Sequence, residues 1–286
     1  MLIHSFAGKC YPYIMDPTTS VKCKFCQSTR TVKYGVRNNV QYYLCQDDGR
    51  IFSGTDAPAG MRTPAKEIAT ALTMFYQGST FSAIQEQIEK ACQHKVAPST
   101  IYRWVIKYTN KANSLMAGLK ANTSDVWVIY ETIMEINGNN CWFWDILCED
   151  TNFCLASHMS YTRTLKEGKI TINKALRNAA QAPTSVILNG LLSYPKQVEE
   201  VFELEMIHTS VTNINIYYSF LSTIRQRTAV MSRLKSMSSA SLILDGFVLD
   251  YNFFTPNVSL KDRTPANSAR LKTKFKDWEE LIRYQP

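Results

Sequence analysis

Not one aspartate or glutamate occurs between Met206 and Leu244, although the segment holds Arg225, Arg227, Arg233 and Lys235. A metal site that needs a carboxylate cannot draw it from there. Apolar runs near the roughly 20 residues needed to cross a bilayer are also missing, which excludes a membrane-spanning helix. The N-terminal MLIHSFAGKC lacks the charged region and apolar core of a secretory signal. That predicts an intracellular protein, cytoplasmic or nucleoid-associated, with no membrane partner. There is no internal repeat and no low-complexity tract, and eight cysteines in such a chain do not read as a disulfide framework.

What is present suits a packed globular chain. At 286 residues and 45% apolar, it supports one domain of about 150 residues with smaller appendages. Lysine and arginine number 32 against 24 acidic residues, a formal charge of +8 that favours a polyanion such as nucleic acid without specifying a site.

The pattern divides the chain into three parts. Residues 18–55 are short, turn-rich and β-like, with Asn38-Asn39 between two strand-like runs as a hairpin signal. The polar stretch GTDAPAGMRTP (54–64) reads as a linker. Residues 62–112 turn helical: IATALTMFYQG stops at Gly78, FSAIQEQIEKAC is amphipathic, and PSTIYRWVIKY opens on Pro98. From 122 to 286 three strand-like runs, DVWVIYETIMEING, NCWFWDILCED and TNFCLASHMS, precede a helix near 163–181 and the strand TSVILNG (184–190). A helix near 194–204, the short strand EMIHTSV and a long helix from about 215 to 239 follow. Three meandering strands and then alternating helix and strand predict an α/β fold of the ribonuclease-H-like order.

Cys23-x2-Cys26 followed by Cys45 matches half of a zinc ribbon and the first ligand of its second knuckle. The fourth position, three residues on, is Asp48. A Cys3Asp set is chemically able to hold a structural zinc, the other reading being a ribbon-shaped hairpin that has lost its ion; His4 and Cys10 are alternative fourth donors. Cys141, Cys148 and Cys154 lie in strand-like runs and read as small buried hydrophobes. In the last of the three helices Ser99, Thr100, Tyr102, Arg103 and Lys107 are the polar positions able to face DNA, and Ile101, Trp104 and Val105 form the inward stripe. A plain helical bundle with a solvated basic face is the other reading of the same segment.

In this order the pieces resemble the DDE transposases of insertion sequences, in the branch with a zinc-ribbon-like N-terminus, a helix-turn-helix and an integrase-type catalytic core. The stretches that carry the resemblance include VKCKFCQSTRTVKYGVRNNVQYYLCQDDGRIFS, STIYRWV, VWVIYETIMEINGNNCWFWDI, TSVILNGLLSYP, STIRQRTAVMSRLKS and YNFFTPNVSLKDRTPANSARL. Such enzymes hold two divalent ions between three carboxylates. The resemblance puts those carboxylates at Tyr130, Asn189 and Tyr218, none of which is acidic, and puts a histidine at Asn257. It also matches Arg225 and Arg227 to a basic pair near the active site. Neutral side chains cannot replace anionic oxygens around Mg²⁺, so no catalytic magnesium is expected.

The reading is therefore a transposase-derived, catalytically inactive binder of double-stranded DNA, acting as a homo-oligomer. An active transposase using Glu131, Asp145 or Asp150, and a protein-interaction scaffold with no DNA role, are the alternatives.

Overall fold

Asn38 and Asn39 both take left-handed backbone conformations, with φ of 49° and 60°. Two successive residues at positive φ make the two-residue turn whose twist matches paired strands, and asparagine tolerates that region. The outcome is the expected hairpin, β1 (Thr31–Arg37) against β2 (Val40–Cys45), with β3 (Ile51–Ser53) on the far side of β2. Cys23, Cys45 and Phe52 form its small core, and Tyr43 stacks on Phe52 with ring centroids 5.8 Å apart.

The computed structural model describes residues 21–136, 138–189, 207–208, 220, 222, 224 and 236–285. By their contacts these fall into two units. One runs to Met74 and adds Phe81–Trp104 and the segment from Asp277; the other holds Phe75–Thr80 and Val105–Lys276.

In the first unit the stretch expected as a free linker is pinned where it begins. Lys24 Nζ donates to the carbonyls of Thr55 and Ala57 at 2.6 Å each, and Ala57 is buried. Gly54 leaves no room for a side chain, since a Cβ there would sit 2.8 Å from the Tyr43 ring. Three helices follow in the chain, α1 (Ala65–Tyr76), α2 (Phe81–Cys92) and α3 (Pro98–Met116), of which α1 from Phe75 and α3 from Val105 count with the second unit. Gly78 ends α1 with φ of 97°, its N–H bonded to Phe75 O at 2.9 Å. Ile68, Leu72, Ile84, Ile88, Ile101 and Trp104 are all buried. α3 continues past Asn110 to Met116, because its apolar spacing extends through the buried Ala112 and no breaker intervenes before Gly118.

The second unit is organised on a five-stranded sheet. Its strands are β4 (Val126–Ile136), β5 (Asn139–Cys148), β6 (Cys154–Ser160), β7 (Ser185–Asn189) and β8 (Ile207–His208), in the order β6-β5-β4-β7-β8. β4, β5 and β6 are an antiparallel meander; β7 joins β4 in parallel, and β8 joins β7 in parallel. This is the ribonuclease-H-like arrangement. The crossover to β7 is made by α4 (Leu165–Asn178). β4 buries four residues in succession, Trp127 to Tyr130, because it is central and covered on both faces; at its far end burial alternates through Met134, Glu135 and Ile136. On one face Trp127, Ile129, Ile146 and Cys148 meet Ile172 and Ala175 of α4 and Val186 of β7.

β6 is an edge strand, and its open backbone is satisfied by side chains rather than by another strand. Asn252 bonds both the N–H and the carbonyl of Cys154 at 2.9 Å, Asn178 donates to Leu155 O at 2.8 Å, and Lys174 donates to Ser157 O at 3.1 Å.

Where the expected helix over 215–239 would end, a helix begins. Ser236 Oγ accepts from Ser239 N and caps α5 (Met237–Leu249), which widens into a π-helical turn at Asp250–Phe254. Of the helix expected over 215–239, Phe220, Ser222 and Ile224 are described and helical, and the helix expected over 194–204 lies outside the described residues. Two short helices, α6 (Pro265–Ser268) and α7 (Trp278–Arg283), close the chain. Among the described residues no helix is long and apolar enough to cross a membrane.

Candidate functional site

Strand register sets one row across the sheet: Ser157 on β6 opposite Asp145 on β5, Asp145 opposite Tyr130 on β4, and Tyr130 opposite Asn189 on β7. Paired residues of neighbouring strands belong to the same face. The two positions where the sequence resemblance expects the first two carboxylates are thus cross-strand neighbours, occupied by a phenol and an amide. Tyr130 is buried, and that burial, with the charge of Glu149 adding to it, holds its hydroxyl protonated far above neutral pH. Tyr218, Arg225 and Arg227 lie outside the described residues.

The three acids that could substitute do not converge. Asp145 is fully buried; Ser157 Oγ donates to its Oδ1 at 2.5 Å, and Oδ2 has no partner among the described residues. Burial raises its pKa well above the usual carboxylate range, against the smaller opposing effects of the Ser157 hydrogen bond and the Lys174 charge. Glu131 follows Tyr130 in the strand and so belongs to the opposite face. It is held by Arg163, whose Nε donates to Oε2 at 2.8 Å. Burial raises Glu131 and the Arg163 hydrogen bond works against that rise. Asp150 is exposed in the β5–β6 turn.

The cysteine cluster behaves in the opposite way. Cys23, Cys26, Cys45 and Asp48 place one donor atom each within 4.8 Å of all the others, the only such His/Cys/Asp/Glu group among the described residues. The backbone explains it by building the same turn twice. Gln27 N bonds Cys23 O and Gly49 N bonds Cys45 O, both at 3.0 Å; Cys23 N bonds Ser28 O at 2.8 Å and Cys45 N bonds Arg50 O at 3.0 Å. The residue after each second donor is left-handed, Gln27 at φ 60° and Gly49 at φ 68°. Asp48 therefore stands where the second knuckle would carry the counterpart of Cys26.

The donor set fits a tetrahedral ion. Cys23 Sγ lies 3.4 Å from Asp48 Oδ2 and Cys26 Sγ 3.5 Å from Cys45 Sγ, close to the ~3.7 Å between sulfurs that share one zinc. The Arg50 backbone N–H, at 2.9 Å from Asp48 Oδ1, and then the Cys26 and Arg50 side chains hold the aspartate well below the usual carboxylate range. Cys23 and Cys45 are fully buried, whereas Cys26 is exposed.

On α3, Ser99, Arg103 and Lys107 follow one another at helical spacing and are exposed, while Thr100 and Tyr102 are half-buried. Tyr102 meets Phe81 of α2 edge-on at 6.1 Å, and Arg103 Nε donates to Ser99 O at 3.3 Å. Sequence reasoning missed a groove on the three-stranded module, lined by Arg37, Tyr42 and Arg62 among others. The available signal was the interleaving of basic and aromatic residues in KYGVRNNVQYY.

Residues 124–254 match a family model described as a DDE domain. Among solved structures the chain is similar to the HTLV-2 integrase catalytic core domain in complex with magnesium, dimeric form. That match has 9% identity and a TM-score of 0.41, and covers 53% of this chain and 99% of that one. It is also similar to a simian T-cell lymphotropic virus intasome in complex with the PP2A regulatory subunit B56 gamma. There the identity is 10% and the TM-score 0.42, over 71% of this chain and 73% of that one. No curated protein matches.

Proposed function

We propose that the chain is a transposase-derived DNA-binding protein that no longer cuts or joins strands. The observation that carries this reading is the pairing of Tyr130 with Asn189 at the two sheet positions where a metal-holding carboxylate is expected. Neither residue offers the anionic oxygen a hard divalent cation requires. The strands that present them keep their register and their buried core, so the scaffold has outlasted the chemistry. A fold retained without its carboxylates fits a protein kept for binding.

In this reading the early residues of α3, Ser99, Thr100, Tyr102 and Arg103, with Lys107 one turn on, face the major groove of duplex DNA. Arg225 and Arg227 track phosphates, and the protein works as a homo-oligomer inside the cell. Cys23, Cys26, Cys45 and Asp48 would hold a zinc ion that ties the two knuckles together and supplies folding energy, not catalysis.

The test is duplex binding measured against salt on the full chain, with strand cleavage followed on the same preparation. Affinity that falls with salt at a slope near −0.9 per phosphate contacted, and drops on Arg103→Ala, is the expected outcome. Affinity indifferent to salt would favour a protein-interaction scaffold, and metal-dependent cleavage would restore the enzyme.

A further inference from the structure

The three-stranded module bears a groove of about 530 Å³ that none of the roles above uses. No carboxylate lines it. The other arginines of the three-stranded module and the last helix have acidic partners: Arg30 pairs with Asp47 at 2.8 Å, Arg50 with Asp48 at 2.9 Å, and Arg283 with Asp56. Lys24 lines the groove but directs its ammonium to Ser53 Oγ and the carbonyls of Thr55 and Ala57. Arg37 and Arg62, both exposed, are different: neither has an acidic partner among the described residues.

Between these charges lies an aromatic surface. The Arg37 guanidinium sits 5.8 Å over the Tyr42 ring, and the residue directly opposite Tyr42 on β1 is Gly35, which adds no side chain to cover it. Phe25 lines the groove as well. A concave surface with unpaired cations beside a partly open ring does not suit the rod of a duplex. It suits a strand whose bases have left the stack, with phosphates on the arginines and a base on the ring. The volume is in the range of sites that enclose a ligand of nucleotide size.

We propose that this groove binds a single-stranded DNA segment, with Arg37 and Arg62 on phosphates and Tyr42 stacked on a base. The proposal rests on reading the chain as a DNA-binding protein, and gives it a second site of different specificity from α3.

The experiment is fluorescence anisotropy of the full chain with a short oligothymidylate and, separately, with a duplex of the same length. The double variant Arg37→Ala/Arg62→Ala is expected to bind the single strand about tenfold more weakly. Its salt slope should be shallower by about 1.4, or ~0.7 per phosphate, while duplex affinity changes less than about twofold. Tyr42→Phe keeps the single-strand affinity and Tyr42→Ala lowers it. Both arginines are exposed, so unchanged thermal unfolding serves as the folding control. Single-strand affinity that the double variant leaves intact, or that Tyr42→Ala leaves equal to Tyr42→Phe, overturns the groove and not the α3 reading. Loss of duplex affinity in the unaltered chain with single-strand binding retained overturns the α3 reading and not the groove.

Discussion

In the N-terminal module four donor atoms from Cys23, Cys26, Cys45 and Asp48 lie within 4.8 Å of one another; on the central sheet Glu131, Asp145 and Asp150 go to three different surroundings. Both regions are positioned by regular backbone. The cysteine site arises from one turn built twice, so each knuckle delivers its two donors to the same point even where one is a carboxylate. The sheet lines up its positions in one row, Asp145 and Asn189 on either side of Tyr130, but two of these three residues are not acids. The difference teaches that a scaffold fixes where chemistry can happen, and the residue type decides whether it does.

The sharpest way to break this comparison is to remove a donor from the converging site. Cys45→Ser is expected to abolish stoichiometric zinc and unfold the module, since a structural zinc is worth about 10 kcal/mol or more at neutral pH. Metal analysis with a chelator competition checks this, and a zinc-free chain that melts like the loaded one contradicts it. On the sheet, Trp127→Ala removes a fully buried ring between the strands and α4 and should cost about 3–5 kcal/mol in urea unfolding.

Glu131→Gln probes whether that carboxylate is structural. Breaking its near-buried pair with Arg163 should cost about 1.5–3 kcal/mol and leave duplex binding unchanged. A loss of metal-dependent activity with no loss of stability would assign it to catalysis instead.

The smallest effect is expected at Asp145. Its pKa is raised in the folded state by burial, so the folded chain holds a proton that the unfolded chain has released. The group's contribution to stability is then greatest below the ordinary aspartate value and declines as pH rises toward the folded value. Asp145→Asn removes that slope. Relative to the unaltered chain, the variant should gain stability as pH rises above the ordinary aspartate value, followed by urea unfolding across a pH series. A variant that loses ground as pH rises would mean that Asp145 is ionised and useful where it stands.

Much of this was legible in the residues. Alternation and turn chemistry fixed the Asn38-Asn39 hairpin, the strand at 126–136 and the helix start at Pro98, because each is decided locally by φ preference or period. The resemblance singled out Tyr130 and Asn189, and strand register supplied what it did not, that the two are cross-strand neighbours. What sequence could not convey is long-range. Lys24 pinning residues 55–57, Lys174 and Asn252 covering the β6 edge, and Ser236 capping α5 instead of ending a helix all depend on partners far along the chain or on a competing local signal. The cysteine spacing pointed to Asp48, three residues after Cys45, as the fourth donor, and the repeated turn geometry explains why it converges with the other three.

The measurement that bears most directly on the central claim is a plasmid-nicking time course with Mn²⁺ at a salt concentration where duplex binding is saturated. Full occupancy of the DNA with no cleavage above the protein-free control is the expected result. Cleavage that requires the metal and disappears in Asp145→Asn or Glu131→Gln would contradict it, and would mean that this domain holds catalytic ions by other acids.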